Sequence, residues 1–238
     1  MSSNNIQQET SLETHQQNQP KSHLRRGILT FQQLNALALV VILSASGMVA
    51  IEDFGFVILT FFYMYFLSTV AFPAITPSQS QQPVFADNLN RLLSLYCFTG
   101  AVVGLFLPVV YIFEGIYEGD KEGIKAATPH VFLLASQLFL EGVAFSDRFS
   151  LPMKVLVPVV YNSTRLFSLL EWVRSEVTKE EGGSISSNSS SRRLFMGRVL
   201  AVVNLVYWGF NLFGFLLPFY LPRAFKRYYS DLAKNLKD

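Results

Sequence analysis

The chain has 238 residues and a formal net charge of +2 at pH 7, so its charge alone points to no partner. Hydrophobic residues make up 50% of it and charged residues only 15%, whereas soluble domains carry about 25% charged residues. A soluble core of this size could not bury so much apolar surface, which excludes an ordinary soluble protein.

Residues 1–28 form a polar N-terminal tail rich in Ser, Asn and Gln, and we predict that it is disordered. It is too long and too polar to be the start of a signal peptide, and Glu9 and Glu13 argue against an organelle transit peptide. The tail ends with three basic residues beside the first apolar segment: Lys21, Arg25 and Arg26.

Residues 29–222 are predicted to form an all-α, polytopic transmembrane helical bundle. A helix needs about 20 apolar residues to cross a hydrocarbon core of about 30 Å. Four uncharged runs are long enough: Gly27–Ile51, Phe54–Ile75, Leu92–Phe113 and Val199–Leu221. Since only Glu52 and Asp53 separate the first two, these two segments should form a tight antiparallel hairpin.

The middle of the chain gives a weaker signal. EGIYEGDKEG (114–123) is predicted to be a solvated loop, and a helix should begin at Thr128 and Pro129. Gln137 and Glu141 interrupt the apolar run of this helix. The next helix, from about 151 to 173, carries Lys154 and Arg165, and it either crosses the membrane or lies in the interface. EEGGSISSNSSSRR (180–193) is a flexible linker by composition.

Residues 223–238 are predicted to form a basic amphipathic helix. Its apolar face would carry Phe225, Tyr228 or Tyr229, Leu232 and Leu236. Such a helix suits an anionic cytoplasmic leaflet, at about 1 kcal/mol per Lys or Arg near the surface; the alternative is a solvated helix with no lipid role. The basic residues concerned are Arg223, Lys226, Arg227, Lys234 and Lys237.

Basic residues near membrane ends favour the cytoplasm, so the N-terminus should be cytoplasmic. Six crossings keep the basic C-terminal tail on the same side, and this arrangement is favoured. Five crossings are the alternative, because six place several bases around the 180–193 linker on the opposite side. Asn188 begins a glycosylation sequon, and its modification would place the linker in the lumen.

Polar residues within the apolar helices are the candidate functional residues. Gln137 and Glu141 lie one turn apart, and Asn204, Trp208 and Asn211 form a stripe on the last span. We expect the two faces to meet inside the bundle. Two cations, Arg165 and Arg148, are candidates to neutralise Glu141. The pattern fits either an intramembrane site for an ion, a proton or a small solute, or interhelical hydrogen bonds, with Glu141 at the interface as a further reading.

Gly100 and Gly104 form a GxxxG pattern that allows close helix packing, more often within a chain than between copies of it. A homo- or hetero-oligomer through the transmembrane helices is the alternative. The sequence contains no catalytic, metal-binding or cofactor-binding motif and gives no support for nucleic-acid binding. This favours a non-enzymatic protein, although it leaves a membrane-embedded enzyme open.

Two blocks, HVFLLASQLFLEGVAFSDRFSLP (130–152) and VYNSTRLFSLLEWVRSE (160–176), resemble an uncharacterised plant family of multi-pass transmembrane proteins. The family is known as a domain of unknown function, and the resemblance covers roughly residues 30–235. It implies a plant membrane protein, and it implies no activity. We therefore predict an integral membrane protein of the endomembranes or plasma membrane with a scaffold or assembly role. The alternative is a small transporter or channel component with a polar site at Gln137 and Glu141.

Overall fold

The computed structural model describes residues 31–74, 87–144, 149–179 and 188–236. The predicted disordered tail, most of the 180–193 linker, Arg148 and Lys237 lie outside these residues. Within them the regular structure is entirely helical, which confirms the all-α fold class.

The described residues form six continuous helices, and two of these contain a π-helical stretch. The first three are α1 (Phe31–Ala45), α2 (Ile51–Val70) and the helix made of α3 (Asp87–Ala101), π1 (Val102–Phe106) and α4 (Leu107–Glu118). The others are α5 (Lys121–Ala144), α6 (Leu151–Thr178) and the helix made of α7 (Asn188–Gly209), π2 (Phe210–Tyr220) and α8 (Leu221–Asn235). The predicted solvated loop at 114–123 is wrong over most of its length, because α4 continues to Glu118 and α5 begins at Lys121.

Successive helices run in opposite directions between two ends of the bundle. At the tail end, Ser150 Oγ donates a hydrogen bond to the Phe72 carbonyl (2.8 Å) and Tyr228 Oη donates to the Pro73 carbonyl (3.1 Å). These contacts join the end of α2, the start of α6 and α8. At the linker end, Lys179 and Arg193 both form ion pairs with Asp120, and these contacts join the α4–α5 turn, the end of α6 and the start of α7.

Helices α5 and α6 form the centre of the bundle, and the apolar helices surround them. Phe132, Leu133 and Trp172 are fully buried in the main core. In contrast, α2, α4, α7 and π2 expose large apolar side chains to their surroundings, among them Leu59, Phe62, Phe113, Val206 and Phe213. A helix that exposes many large apolar side chains is suited to lipid rather than to water.

Three helices are long and apolar enough to cross a membrane: Ile51–Val70, Arg91–Glu118 and Ser191–Asn235. Residues Gln33–Ala45 form a shorter apolar helix. Length and composition thus support membrane-spanning helices, but they do not support six crossings. Helices α5 and α6 are long enough but not apolar enough to meet this criterion, because they carry polar and charged residues.

Candidate functional site

Arg165 on α6 is the centre of a buried polar network. Its side chain is fully buried. Nη1 donates to Gln137 Oε1 (2.8 Å), and Nη2 donates to Asn162 Oδ1 (3.0 Å). Its guanidinium carbon lies 3.8 Å from the centre of the Trp208 ring, in a cation–π contact. The planar guanidinium therefore joins α5, α6 and α7 at one point.

Glu141 belongs to the same network through Gln137. The amide of Gln137 donates from Nε2 to Glu141 Oε1 (2.7 Å) while its oxygen accepts from Arg165. The amide thus stands between a carboxylate and a guanidinium. Opposite charges connected in this way partly offset the large free-energy cost of removing each one from water.

The side chains of Asn204 and His130 form hydrogen bonds with backbone carbonyls of π1. Asn204 Nδ2 donates to the Val103 carbonyl (3.0 Å), and His130 Nε2 lies 2.9 Å from the Gly104 carbonyl. One of these carbonyls lacks a backbone donor because Pro108 has no N–H, and the other because the hydrogen-bond spacing changes from π-helical to α-helical at this point. Residue 108 would otherwise donate to Gly104 at α-helical spacing or to Val103 at π-helical spacing.

The structure brings three of the four predicted polar residues into one network, and it leaves Asn211 outside. Asn204 reaches Arg165 through Trp208, whose Nε1 donates to Asn204 Oδ1 (3.3 Å). Asn211 instead accepts from Tyr96 Oη (3.0 Å), at the contact between α3 and the last helix. In the sequence, Arg165 was expected as a candidate counter-ion for Glu141 and as a charge that left the crossing of α6 open, but not as the centre of a network.

The central position of Arg165 could have been recognised from a heptad-like spacing on α6. Asn162, Arg165, Leu169, Trp172 and Glu176 follow one helix face, and the structure buries all five completely.

Two aromatic side chains of α7 pack directly against Gly100 and Gly104 within the same chain. A Cβ at Gly104 would lie 2.6 Å from Trp208 Cζ2, and a Cβ at Gly100 would lie 2.8 Å from Tyr207 Oη. These glycines therefore seat Tyr207 and Trp208 against the helix made of α3, π1 and α4.

A second polar group, the linker-end cluster, consists of Tyr111, Asp120, Glu176, Lys179 and Arg193. Arg193 is almost fully buried, and its Nε lies 2.9 Å from Asp120 Oδ2. Glu176 is fully buried, accepts from Tyr111 Oη (3.0 Å) and pairs with Lys179 (2.9 Å). The cluster ties together α4, the α4–α5 turn, the end of α6 and the start of α7.

The pKa of Asp120 in this cluster lies below its ordinary value of 3.8. Burial alone raises the pKa of the carboxyl, but the Gly123 N–H and the charges of Arg193 and Lys179 favour the carboxylate more strongly. Asp120 is therefore held in its charged form.

The basic C-terminal helix is partly docked on the protein. Ala224 and Tyr228 are buried, and Phe72 packs edge-on against Phe225 and Tyr228. Tyr229 and Leu236 remain exposed. Of the predicted surface bases, Arg223, Lys226 and Lys234 are exposed, and the half-buried Arg227 lies 4.0 Å from Asp231.

Among the described residues no group of three or more His, Cys, Asp or Glu side chains could hold a metal ion.

A family model, described as a domain of unknown function (DUF7733), matches residues 29–229. No curated protein sequence and no solved structure matches the chain.

Proposed function

We propose that this chain, which belongs to the DUF7733 family of unknown function, is a multi-pass membrane protein with a non-enzymatic scaffold or assembly role. The observation that carries the proposal is the network of Arg165. Its guanidinium donates to Gln137 on α5 and to Asn162 on its own helix and stacks on Trp208 of α7, so its contacts link α6 to two neighbouring helices. Such a network fixes which helices pack together.

We propose six crossings with both termini in the cytoplasm. The alternation of helix direction supports this topology. By 1.5 Å per residue, the 24 residues of α5 and the 28 residues of α6 measure about 36 Å and about 42 Å, which exceeds a core of about 30 Å. Their polar side chains at Gln137, Asn162 and Arg165 are buried inside the bundle, so they add little cost from contact with lipid.

The distribution of charge between the two ends also supports this orientation. Near the tail end, one acidic residue outside the buried network, Asp231, accompanies six bases among the described side chains: Arg91, Lys154, Arg223, Lys226, Arg227 and Lys234. Near the linker end, eight acids accompany seven bases. The acids are Glu52, Asp53, Glu114, Glu118, Asp120, Glu122, Glu171 and Glu176; the bases are Lys121, Lys125, Arg174, Lys179, Arg192, Arg193 and Arg198. Because acidic residues contribute little to membrane orientation, the six and seven described bases are nearly balanced, and the three further bases of the N-terminal tail, Lys21, Arg25 and Arg26, favour placing the tail end in the cytoplasm.

The topology is tested by locating the linker. An epitope tag inserted at residue 185 should be protected from protease in sealed membranes, while a tag after residue 238 should be digested. Glycosylation at Asn188, removed by Ser190→Ala, would place the linker in the lumen independently. Digestion of the linker tag in intact membranes rejects six crossings and favours five.

The tail helix α8 is proposed to lie on an anionic membrane surface. Its buried side contacts Phe72, whereas Tyr229 and Leu236 are exposed and available to lipid. Exposed Arg223, Lys226 and Lys234 would face lipid headgroups. In reconstituted vesicles, a fluorophore at Leu236→Cys in a Cys97→Ser background should be quenched by lipid-borne quencher, more strongly when the vesicles contain phosphatidylserine. Equal quenching with and without phosphatidylserine would argue for a solvated helix.

A small transporter or channel component is the second candidate function. The observation that favours it is an ionisable pair, Glu141 and Arg165, joined through Gln137 inside the bundle. Glu141→Gln separates the two functions. A packing role predicts reduced accumulation of the protein, whereas transport predicts normal accumulation with lost ion or solute flux. Glu171→Gln, at an exposed position on α6, is the matched control.

Plant origin and an endomembrane or plasma-membrane location are proposed from the resemblance of residues 130–152 and 160–176. Oligomers through the transmembrane helices are also proposed. Because Gly100 and Gly104 already seat Tyr207 and Trp208, such a contact would use other surfaces. Crosslinking of the parent protein and of a Gly100→Ala variant in native membranes tests this directly. Loss of the crosslinked dimer in the variant would indicate that the glycines form the interface.

A further inference from the structure

Two neighbouring rings between α5 and α6, those of Trp172 and His130, carry nitrogen atoms that have no hydrogen-bond partner among the described residues. Trp172 Nε1 and His130 Nδ1 have no hydrogen-bond partner among the described residues, and both side chains are fully buried. The centres of the two rings lie 6.1 Å apart, and their planes are tilted by 31°. The pair repeats the contact of Gln137 with Arg165 two helical turns along the same interface.

The chemistry of the neighbouring groups makes the two atoms complementary. His130 Nε2 lies 2.9 Å from the Gly104 carbonyl. A carbonyl oxygen can only accept, so Nε2 carries the proton and the neutral ring presents a lone pair at Nδ1. The indole N–H of Trp172 can only donate. The two groups are thus matched in role, yet no direct hydrogen bond joins them.

We infer that one buried water molecule bridges Trp172 and His130. It accepts from Trp172 Nε1 and donates to His130 Nδ1. Unpaired buried polar groups carry a large desolvation penalty, and buried waters commonly satisfy such groups. The water completes a chain of hydrogen bonds from the Gly104 carbonyl through His130 to Trp172, which joins π1, α5 and α6 at the level where Pro108 interrupts the backbone ladder.

The first test removes the indole N–H without changing the shape of the side chain. Benzothienylalanine, which carries sulfur in place of the N–H, is incorporated at position 172 of the full chain in detergent or nanodiscs. The same replacement at position 208 serves as the reference for the loss of one indole hydrogen bond, because Trp208 Nε1 donates directly to Asn204. A bridging water predicts that both replacements lower the unfolding midpoint by a similar amount, about 2–4 °C. An unchanged or raised midpoint at position 172 alone would overturn the inference.

The second test observes the histidine itself. With His15→Gln and His23→Gln, both outside the described residues, His130 is the one histidine left in the chain. Nitrogen-15 NMR should show a proton on Nε2, a hydrogen-bonded lone pair on Nδ1 and a correlation between the ring and a water proton that disappears in D2O. The correlation should also be lost when position 172 carries benzothienylalanine. Absence of the water correlation in the otherwise native protein, or a proton on Nδ1, would overturn the inference whatever the midpoints show.

Discussion

Pro108 shows how one residue determines the role of polar side chains on two other helices. It cannot donate to Gly104 or Val103, and the donors come instead from His130 and Asn204. An unsatisfied carbonyl costs several kcal/mol where water is excluded. The presence of Pro108, His130 and Asn204 was visible in the sequence. Their pairing was not, because the three residues lie on different helices and nothing local specifies which of them meet.

At Gly104 we expect substitution to be costly. Gly104→Ala would place a methyl group 2.6 Å from the Trp208 ring, and overpacking of this kind costs about 1–3 kcal/mol. Gly55→Ala on α2 meets nothing within 4 Å and should be neutral or stabilising by about 0.5–1 kcal/mol, because alanine favours a helix more than glycine does. Thermal unfolding in detergent measures both variants. Equal behaviour of the two variants would contradict the packing of Trp208 on Gly104.

Arg165 should be one of the least replaceable residues of the chain. Arg165→Met leaves Gln137 and Asn162 without their donor and leaves Glu141 without its connected cation, and breaking a buried network of this kind costs about 3–5 kcal/mol. Arg174→Met, at an exposed position on the same helix, should change stability by less than about 0.5 kcal/mol. Accumulation in membranes and the unfolding midpoint are the measurements. A mild effect at Arg165 would mean that the network contributes little to the fold.

At the scale of the helices, the sequence predicts best those elements that expose large apolar side chains. Helix α2 and residues 199–221 of the last helix are apolar on nearly every side, so hydropathy alone finds them. Helices α5 and α6 were uncertain because their polar residues face other helices, and a one-dimensional profile does not distinguish an inward polar residue from an exposed one. For the same reason the apolar face of α8 was expected to meet lipid or water, whereas Tyr228 on this face packs against Phe72.

The stability of the π-helical stretch π1 should depend on Asn204 of α7, which donates a hydrogen bond to it. Asn204→Leu removes the donor to the Val103 carbonyl and the acceptor of Trp208 Nε1, with an expected loss of about 1–3 kcal/mol. Val203→Leu, at the adjacent exposed position, is the control and should be close to neutral. Amide hydrogen exchange should increase within 102–107 in the first variant and not in the second. Unchanged exchange in π1 would show that Asn204 does not stabilise it.

At the scale of the whole molecule, the two ends of the bundle differ in how they carry charge. Bases near the tail end lie mostly on the exposed sides of helices, whereas the linker end holds Arg193 and Lys179 against Asp120 and Glu176. In the sequence, the bases near the linker argue against six crossings. The carboxylates that pair with them lie in the α4–α5 turn and on α6, and their distance along the chain hides the pairing.

The linker-end cluster should make stability depend on pH. Because the pKa of Asp120 is lowered below 3.8 in the folded protein, its carboxylate stabilises the fold above pH 3.8, and this contribution is lost as the pH falls through the folded pKa. Asp120→Asn should therefore be less stable than the parent at pH 7, and the difference should disappear in strong acid. Glu122→Gln, exposed near the start of α5, is the control. A stability difference that persists at pH 2 would show that Asp120 acts through packing rather than charge.

The last helix passes from Asn188 through π2 to Asn235 without a turn. At about 1.5 Å per residue its 48 residues extend about 70 Å, more than twice the thickness of a hydrocarbon core. Pro218 and Pro222 lie on either side of the junction between π2 and α8, where each removes a backbone N–H. The last helix can therefore bend at this junction, and a partner that binds α8 would move it relative to Arg193 through these two prolines.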